Sequence, residues 1–89
     1  MRFTWDPRKS ASNRRKHSVT FEAAASVFDD EHALVQPDLT HEDRLLVLGT
    51  SARARLLFVV YVEVEADDII RIISARKATP HERKTYESE

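Results

Sequence analysis

Two apolar runs, Leu56-Leu57-Phe58-Val59-Val60-Tyr61-Val62-Glu63-Val64-Glu65 and Ile69-Ile70-Arg71-Ile72-Ile73-Ser74-Ala75-Arg76, stand a short acidic connection apart. Rich in β-branched and aromatic residues, both read as strands. A connection as short as Ala66-Asp67-Asp68 cannot carry a parallel crossover, so the two strands must be antiparallel neighbours. Arg44 to Gly49, joined to Leu56 through Thr50-Ser51-Ala52-Arg53-Ala54, extends the meander, and Ala33-Leu34-Val35 before Pro37 adds a further short strand. Arg2-Phe3-Thr4-Trp5 reads as another, with Phe3 and Trp5 on one face.

Strand alternation also assigns faces. Leu56, Phe58, Val60, Val62 and Val64 share one side of the long strand, while the other side changes from Leu57 and Val59 to Tyr61, Glu63 and Glu65. The pattern predicts that the first half is covered on both sides and the second half on one. Arg71 and Arg76 are separated by an odd number of residues, so a regular strand turns them to opposite faces and only a bulge would bring them together.

Helices are marked by their starts. Asp6-Pro7 opens a helix running to about Lys16, with Asp as N-cap and Pro at the first position. It is polar almost all round, with Lys9, Asn13 and Lys16 near one face and Arg8, Ser12 and Arg15 near another, which predicts a helix lying across the surface. Thr20 caps a second helix in which Phe21, Ala24, Ala25 and Phe28 form a core-facing stripe, small in the middle so that a sheet can approach. Thr79-Pro80-His81-Glu82 has the form of a capping box and starts a third. With 89 residues there is room for one domain, residues 1–89. The expected fold is α+β: a small antiparallel sheet of about four to five strands packed against two N-terminal helices, with a short C-terminal helix.

Charge is distributed in blocks. Residues 1–17 carry six Lys/Arg against Asp6 alone, residues 22–43 carry seven acids and no Lys/Arg, and residues 69–84 carry five Lys/Arg against Glu82. The net charge of -1 therefore conceals two basic segments, which would attract a polyanion if the fold joins them. With no cysteine there is neither a disulfide framework nor a Cys-containing zinc site. His17, His32, His41 and His81 are scattered without a recognised ligand spacing, so neither metal nor cofactor is expected. The longest apolar run, Leu56 to Val62, is too short to span a bilayer; the expected location is the cytoplasm, without membrane contact.

Taken together, several short motifs resemble the BrnT family of bacterial type II toxins. They are Phe3-Thr4-Trp5-Asp6, Asn13 with Lys16-His17, Val19-Thr20-Phe21-Glu22-Ala23, Val27-Phe28-Asp29, Glu42-x-Arg44 with Gly49, Val60-Tyr61, and Arg71-x-Ile73-Ser74-Ala75-Arg76-x-Ala78-Thr79 with Glu82-Arg83 and Tyr86. The resemblance runs from residue 3 to residue 86 in order and at similar spacing. It implies a RelE-like fold, metal-independent endonucleolytic cleavage of RNA that arrests translation, and neutralisation by a BrnA-like antitoxin with a ribbon-helix-helix domain. DNA would be met only indirectly, through the antitoxin. Ser18 departs from the family, which usually has glycine after the Lys-His pair; glycine there would allow a positive backbone torsion at the helix end.

Cleaving RNA without a metal requires taking the 2'-OH proton, stabilising charge on the phosphorane and protonating the leaving 5'-oxygen. Arg76 is the first candidate, because its planar guanidinium can grip a phosphate from a rigid strand end; the competing role is an ion pair to Glu82 or the acidic loop. His17 is a candidate acid or base and Lys16 a charge stabiliser, against the plainer role of completing the end of a helix. Glu42 is a candidate base and Arg44 a phosphate ligand, against a loop ion pair. Lys9, Arg15 and Arg83 are candidate RNA contacts, and Tyr86 a base-stacking surface or a packing residue. Two other functions fit the same charges: a non-catalytic basic binding module, or a degenerate toxin acting only as co-repressor of its antitoxin.

Overall fold

In the computed structural model, which describes residues 1–64 and 68–89, the elements follow the order β1 (Arg2–Thr4), α1 (Pro7–His17), α2 (Phe21–Ser26), a 3-10 turn (Val27–Asp29), β2 (Leu34–Pro37), β3 (Leu45–Thr50), β4 (Leu56–Val64), β5 (Ile69–Lys77) and α3 (Pro80–Glu87). The five strands form one sheet in the order β1-β5-β4-β3-β2. Strands β2 to β5 are an antiparallel meander, and β1 returns to pair parallel with the first half of β5. Ala66 and Asp67 of the expected β4–β5 turn lie outside the described residues.

Capping chemistry starts each helix as the sequence suggests. Asp6 accepts from the Arg8 N–H at 2.8 Å, Thr20 from the Ala23 N–H at 3.0 Å, and Thr79 and Glu82 close a reciprocal box. Helix α2 is shorter than its apolar stripe predicts, tightening at Val27 into the 3-10 turn that carries Phe28. Gly49 accommodates that turn: a Cβ here would stand 3.1 Å from Ala33 Cβ and 3.3 Å from Val27 Cβ.

The core lies on one face of the sheet. Val19, Phe21, Ala24 and Val27 from the helical segment pack on Val47, Leu57, Val59, Tyr61, Ile70, Ile72 and Ala75. Trp5 meets Phe21 edge-on at 6.0 Å, and Phe28 meets Tyr61 edge-on at 4.9 Å. The covered side of β4 is thus the mixed one, Leu57-Val59-Tyr61, and the uniformly apolar side is the less covered: Phe58, Val60, Val62 and Val64 are only half-buried. The Phe28 ring from the helical layer packs on Tyr61, whereas among the described residues the opposite face receives the short helix α3.

The expectation that Arg71 and Arg76 face opposite ways is corrected by the register. Val62 pairs with Arg71 and Tyr61 with Ile72, but Val60 pairs with Ser74, leaving Ile73 as an extra residue. This β-bulge shifts the alternation. Ile70 and Ile72 before it and Ala75 after it all point into the core, so Arg71 and Arg76 both point to the opposite, open face.

Candidate functional site

The bulge sits where β5 loses its neighbour. Strand β1 covers β5 only from Ile69 to Arg71, and beyond that point helix α1 lies along the uncovered edge. Asn13 makes the junction, buried to 7% exposure: its Nδ2 donates to the Ala75 carbonyl at 2.8 Å and to the Val19 carbonyl at 3.0 Å, and its Oδ1 accepts from the Ala75 N–H at 3.1 Å. One side-chain amide thereby replaces a strand partner and fixes α1 in register with β5.

That docking sets the basic side of α1 against the bulge. Lys9, Ser12, Lys16 and His17 line a shallow depression of about 200 Å³ together with Asn13, Ile73 and Ser74. The helix ends at Ser18, which takes the left-handed conformation at φ 57° and donates its N–H to the Arg14 carbonyl. Serine adopts here the torsion that glycine takes without strain, so His17 occupies the last helical turn with Arg14, Arg15 and Lys16. Arg15 is exposed and does not line the depression.

Arg76 is differently placed. Its guanidinium forms a two-pronged pair with Glu82, with both contacts at 2.8 Å, and lies over the Phe58 ring 4.2 Å from the centroid. The hydrogen-bonded Glu82 holds the guanidinium still more firmly in its charged form, and Arg76 in turn lowers the Glu82 carboxyl below its ordinary range, against the opposing effect of burial. Glu82 also accepts from the Thr79 N–H at 2.9 Å. The ion pair weighed as the competing role for Arg76 is therefore formed.

Helix α3 is tied down at its other end by Tyr86, whose hydroxyl donates to Asp30 and accepts from the Thr50 hydroxyl. The Asp30 carboxylate takes the Thr50 N–H at 2.8 Å and the His32 N–H at 2.9 Å as well. Burial raises the Asp30 pKa, but these hydrogen bonds outweigh it and leave the group below its ordinary value; the same bond raises Tyr86. Tyr86 is thus a latch rather than a free ring. Arg83 is exposed, 4.0 Å from Glu87. Between α3 and β2 lies a larger groove, about 350 Å³, with a mixed lining: Leu34, Val35, Leu46, Leu48 and Phe58 beside Gln36, His81, Glu82 and Thr85.

Glu42 and Arg44 stand in the loop before β3, with β4 between that strand and β5. The Arg44 carbonyl accepts from the Asp38 N–H at 3.1 Å, which continues the β2–β3 ladder by one residue. Two residues in this region were not singled out from sequence. Asn13 enters the sequence reading only in a motif and on a helix face, and Ser74 only within the strand and its motif, neither with a role of its own; a buried side-chain amide closing an open strand edge leaves no spacing signature.

The family model for "Ribonuclease toxin, BrnT, of type II toxin-antitoxin system" matches residues 5–82. The chain belongs to the BrnT family. Its fold is similar to the crystal structure of the Brucella abortus ribonuclease toxin BrnT, at 26% sequence identity and a TM-score of 0.72, over 89% of this chain and 97% of that one. No curated protein matches. As a type II toxin-antitoxin family, BrnT implies an antitoxin partner for this chain. No helix among the described residues is long and apolar enough to cross a membrane.

Proposed function

We propose that this BrnT toxin is a metal-independent endoribonuclease that works in the cytoplasm, arrests translation by cutting RNA, and is neutralised by a BrnA-like antitoxin with a ribbon-helix-helix domain. In this reading the fold is of RelE type, and DNA is reached only through the antitoxin. The observation that carries the proposal is the junction of the two basic segments: Lys9, Lys16 and His17 of α1 line one depression with Ser74, on the strand that also bears Arg71 and Arg76.

In the proposed reaction the RNA 2'-oxygen attacks the adjacent phosphorus and the bond to the 5'-oxygen breaks, leaving a 2',3'-cyclic phosphate and a 5'-hydroxyl. His17, exposed at the end of α1, exchanges the protons. Lys16 stabilises charge on the phosphorane. Arg76 holds a non-bridging oxygen pair, which requires the phosphate to replace the Glu82 carboxylate on the same two guanidinium nitrogens. Lys9 and Arg15 contact the flanking strand, and Arg83 extends the basic surface along α3. Arg44 is assigned to substrate binding and Glu42 to no step, because β4 separates their loop from β5.

The test is cleavage of RNA in EDTA by protein freed of its antitoxin. Activity is expected without metal, and Arg76→Ala should lower the rate at least about tenfold, a loss of roughly 1.4 kcal/mol in the barrier difference. Dependence on added metal overturns the metal-free route, and full activity of Arg76→Ala removes Arg76 from it. The formed Arg76–Glu82 pair favours one second reading, a degenerate toxin that serves only as co-repressor. Harmless expression both alone and with the neighbouring reading frame would select it.

A further inference from the structure

The bulge at Ile73 gives the open face of the sheet a property that a regular strand would lack. Arg71 pairs with Val62 and Arg76 with Phe58, and Phe58, Val60 and Val62 share a face, so the two arginines stand on one surface four β4 residues apart. At the strand rise this separates their Cα atoms by about 13 Å. The gap is too wide for both to grip one phosphate and suits two different phosphates of one strand. Ser74, opposite Val60, lies between them, and the depression lined by Lys9, Lys16 and His17 opens at that point.

A third arginine continues the surface across the sheet. Leu45 pairs with Tyr61 and belongs to the core side, so alternation turns Arg44 to the same open face as Leu46 and Leu48. The register continued by one residue sets Arg44 opposite Val62, which is the partner of Arg71. Two strand spacings separate them, about 10 Å. Among the described residues neither Arg71 nor Arg44 has a carboxylate partner within ion-pair distance.

We propose that Arg71, brought onto the open face by the Ile73 bulge, is a phosphate ligand of a track that runs from Arg76 past Ser74 to Arg71 and on to Arg44, and that it carries the backbone of single-stranded RNA. The proposal rests on the ribonuclease reading for the identity of the strand. The arrangement itself, guanidinium groups flanking the half-buried apolar centre Val60 and Val62, is that of a surface binding an anionic strand whose bases lie over an apolar floor. Arg71 is assigned to binding and Arg76 to the chemistry because, among the described residues, only the Arg76 guanidinium is held in a fixed orientation, by Glu82 and the Phe58 ring.

The test uses a single-stranded RNA with 2'-O-methyl groups, which binds without being cut, titrated over a series of NaCl concentrations. Arg71→Ala should weaken binding about fivefold or more and reduce the slope of log affinity against log salt by about 0.7, the loss of one phosphate contact on a single strand. Arg71→Glu should weaken it further. Arg53→Ala, on the exposed β3–β4 loop in a depression shared with Thr20 and Glu22 beside α2, should change neither quantity. In cleavage assays Arg71→Ala should raise KM with kcat retained. Wild-type affinity and slope in Arg71→Ala overturn the track while leaving an active ribonuclease intact. Equal losses in Arg71→Ala and Arg53→Ala also overturn it, because net charge alone would then explain binding. If the protein fails to cut RNA yet Arg71→Ala weakens binding with the shallower slope, the track stands and the ribonuclease reading falls. Since Arg71 is exposed, unchanged thermal melting of both variants is expected and confirms that binding is what changed.

Discussion

The two ends of β5 present the same residue type to the same face in different states. At one end Arg76 is clamped: Glu82 holds it through two hydrogen bonds, Phe58 lies beneath it, and α3 is anchored by Tyr86 to Asp30 and Thr50. At the other end Arg71 is exposed and without a carboxylate partner among the described residues. The guanidinium of Arg76 is pre-positioned, because its orientation is fixed before any ligand arrives, but it must exchange one anion for another. Among the described residues Arg71 has no carboxylate to exchange and none that fixes its orientation. Geometry is supplied at one end and net attraction at the other, with the α1 depression between them.

The largest effect expected falls on the hinge between these ends. Asn13→Ala removes the partners of the Ala75 N–H, the Ala75 carbonyl and the Val19 carbonyl at a buried position, and should destabilise the fold by about 3 kcal/mol in urea denaturation. An effect within about 0.5 kcal/mol would show that water replaces the amide and that α1 is not held by it. Glu82→Gln acts on the clamped end alone. It should cost about 1 kcal/mol of stability, since Arg76 remains 36% exposed and the pair is partly screened, while RNA affinity rises about threefold because Arg76 loses its competitor. Lower RNA affinity in this variant would mean that fixed orientation matters more than freed charge, and would reverse the ranking of the two arginines. Ser18→Gly bears on the α1 side. Replacing a left-handed serine with glycine should stabilise by somewhat less than 1 kcal/mol, seen as a rise in Tm of roughly 4 °C. A fall in Tm would show that the serine side chain contributes more than the torsion costs.

The fold was open to sequence reading wherever local chemistry decides the outcome. Asp6-Pro7, Thr20 and Thr79-Pro80-His81-Glu82 start helices because capping is local, and the meander follows from short connections. The bulge was not legible. Ile72-Ile73-Ser74-Ala75 has no glycine and reads as an unbroken strand; the extra residue exists because Val60 and Tyr61 on β4 pair with Ser74 and Ile72. That long-range register decides whether Arg71 and Arg76 share a face. Likewise the parallel return of β1 to β5, which leaves the edge that Asn13 fills, depends on tertiary packing and has no signal within Arg2-Phe3-Thr4-Trp5. An ion pair of Arg76 to Glu82 or the acidic loop is the competing role read from sequence, and the structure forms the first because the end of β5 and the first turn of α3 come together.

The smallest effect expected separates the two ends by pH. Both carboxylates that hold α3 titrate below their ordinary range: Glu82 because of Arg76, and Asp30 because its hydrogen bonds from Tyr86, Thr50 and His32 outweigh burial. A carboxyl whose folded pKa lies below its unfolded value contributes stability that is fully present above the unfolded value, about 4, and is lost as pH falls through the folded one. The Arg76 end should therefore loosen on acidification below about pH 4, whereas Arg71 has no such carboxylate among the described residues. Tm should fall as the pH drops below about 4, and the fall should be shallower in Glu82→Gln, which has already lost one of the two linked groups. Once the pH has fallen through the depressed Glu82 pKa, Arg76 should bind uncleavable RNA as well in the wild type as in Glu82→Gln, so the roughly threefold difference in affinity expected at pH 7 should close together with the difference in Tm. If the difference in affinity persists at a pH where the Tm values of wild type and Glu82→Gln have already converged, Glu82 is not what restrains Arg76, and the contrast between a clamped and an open arginine does not describe how this face binds an anion.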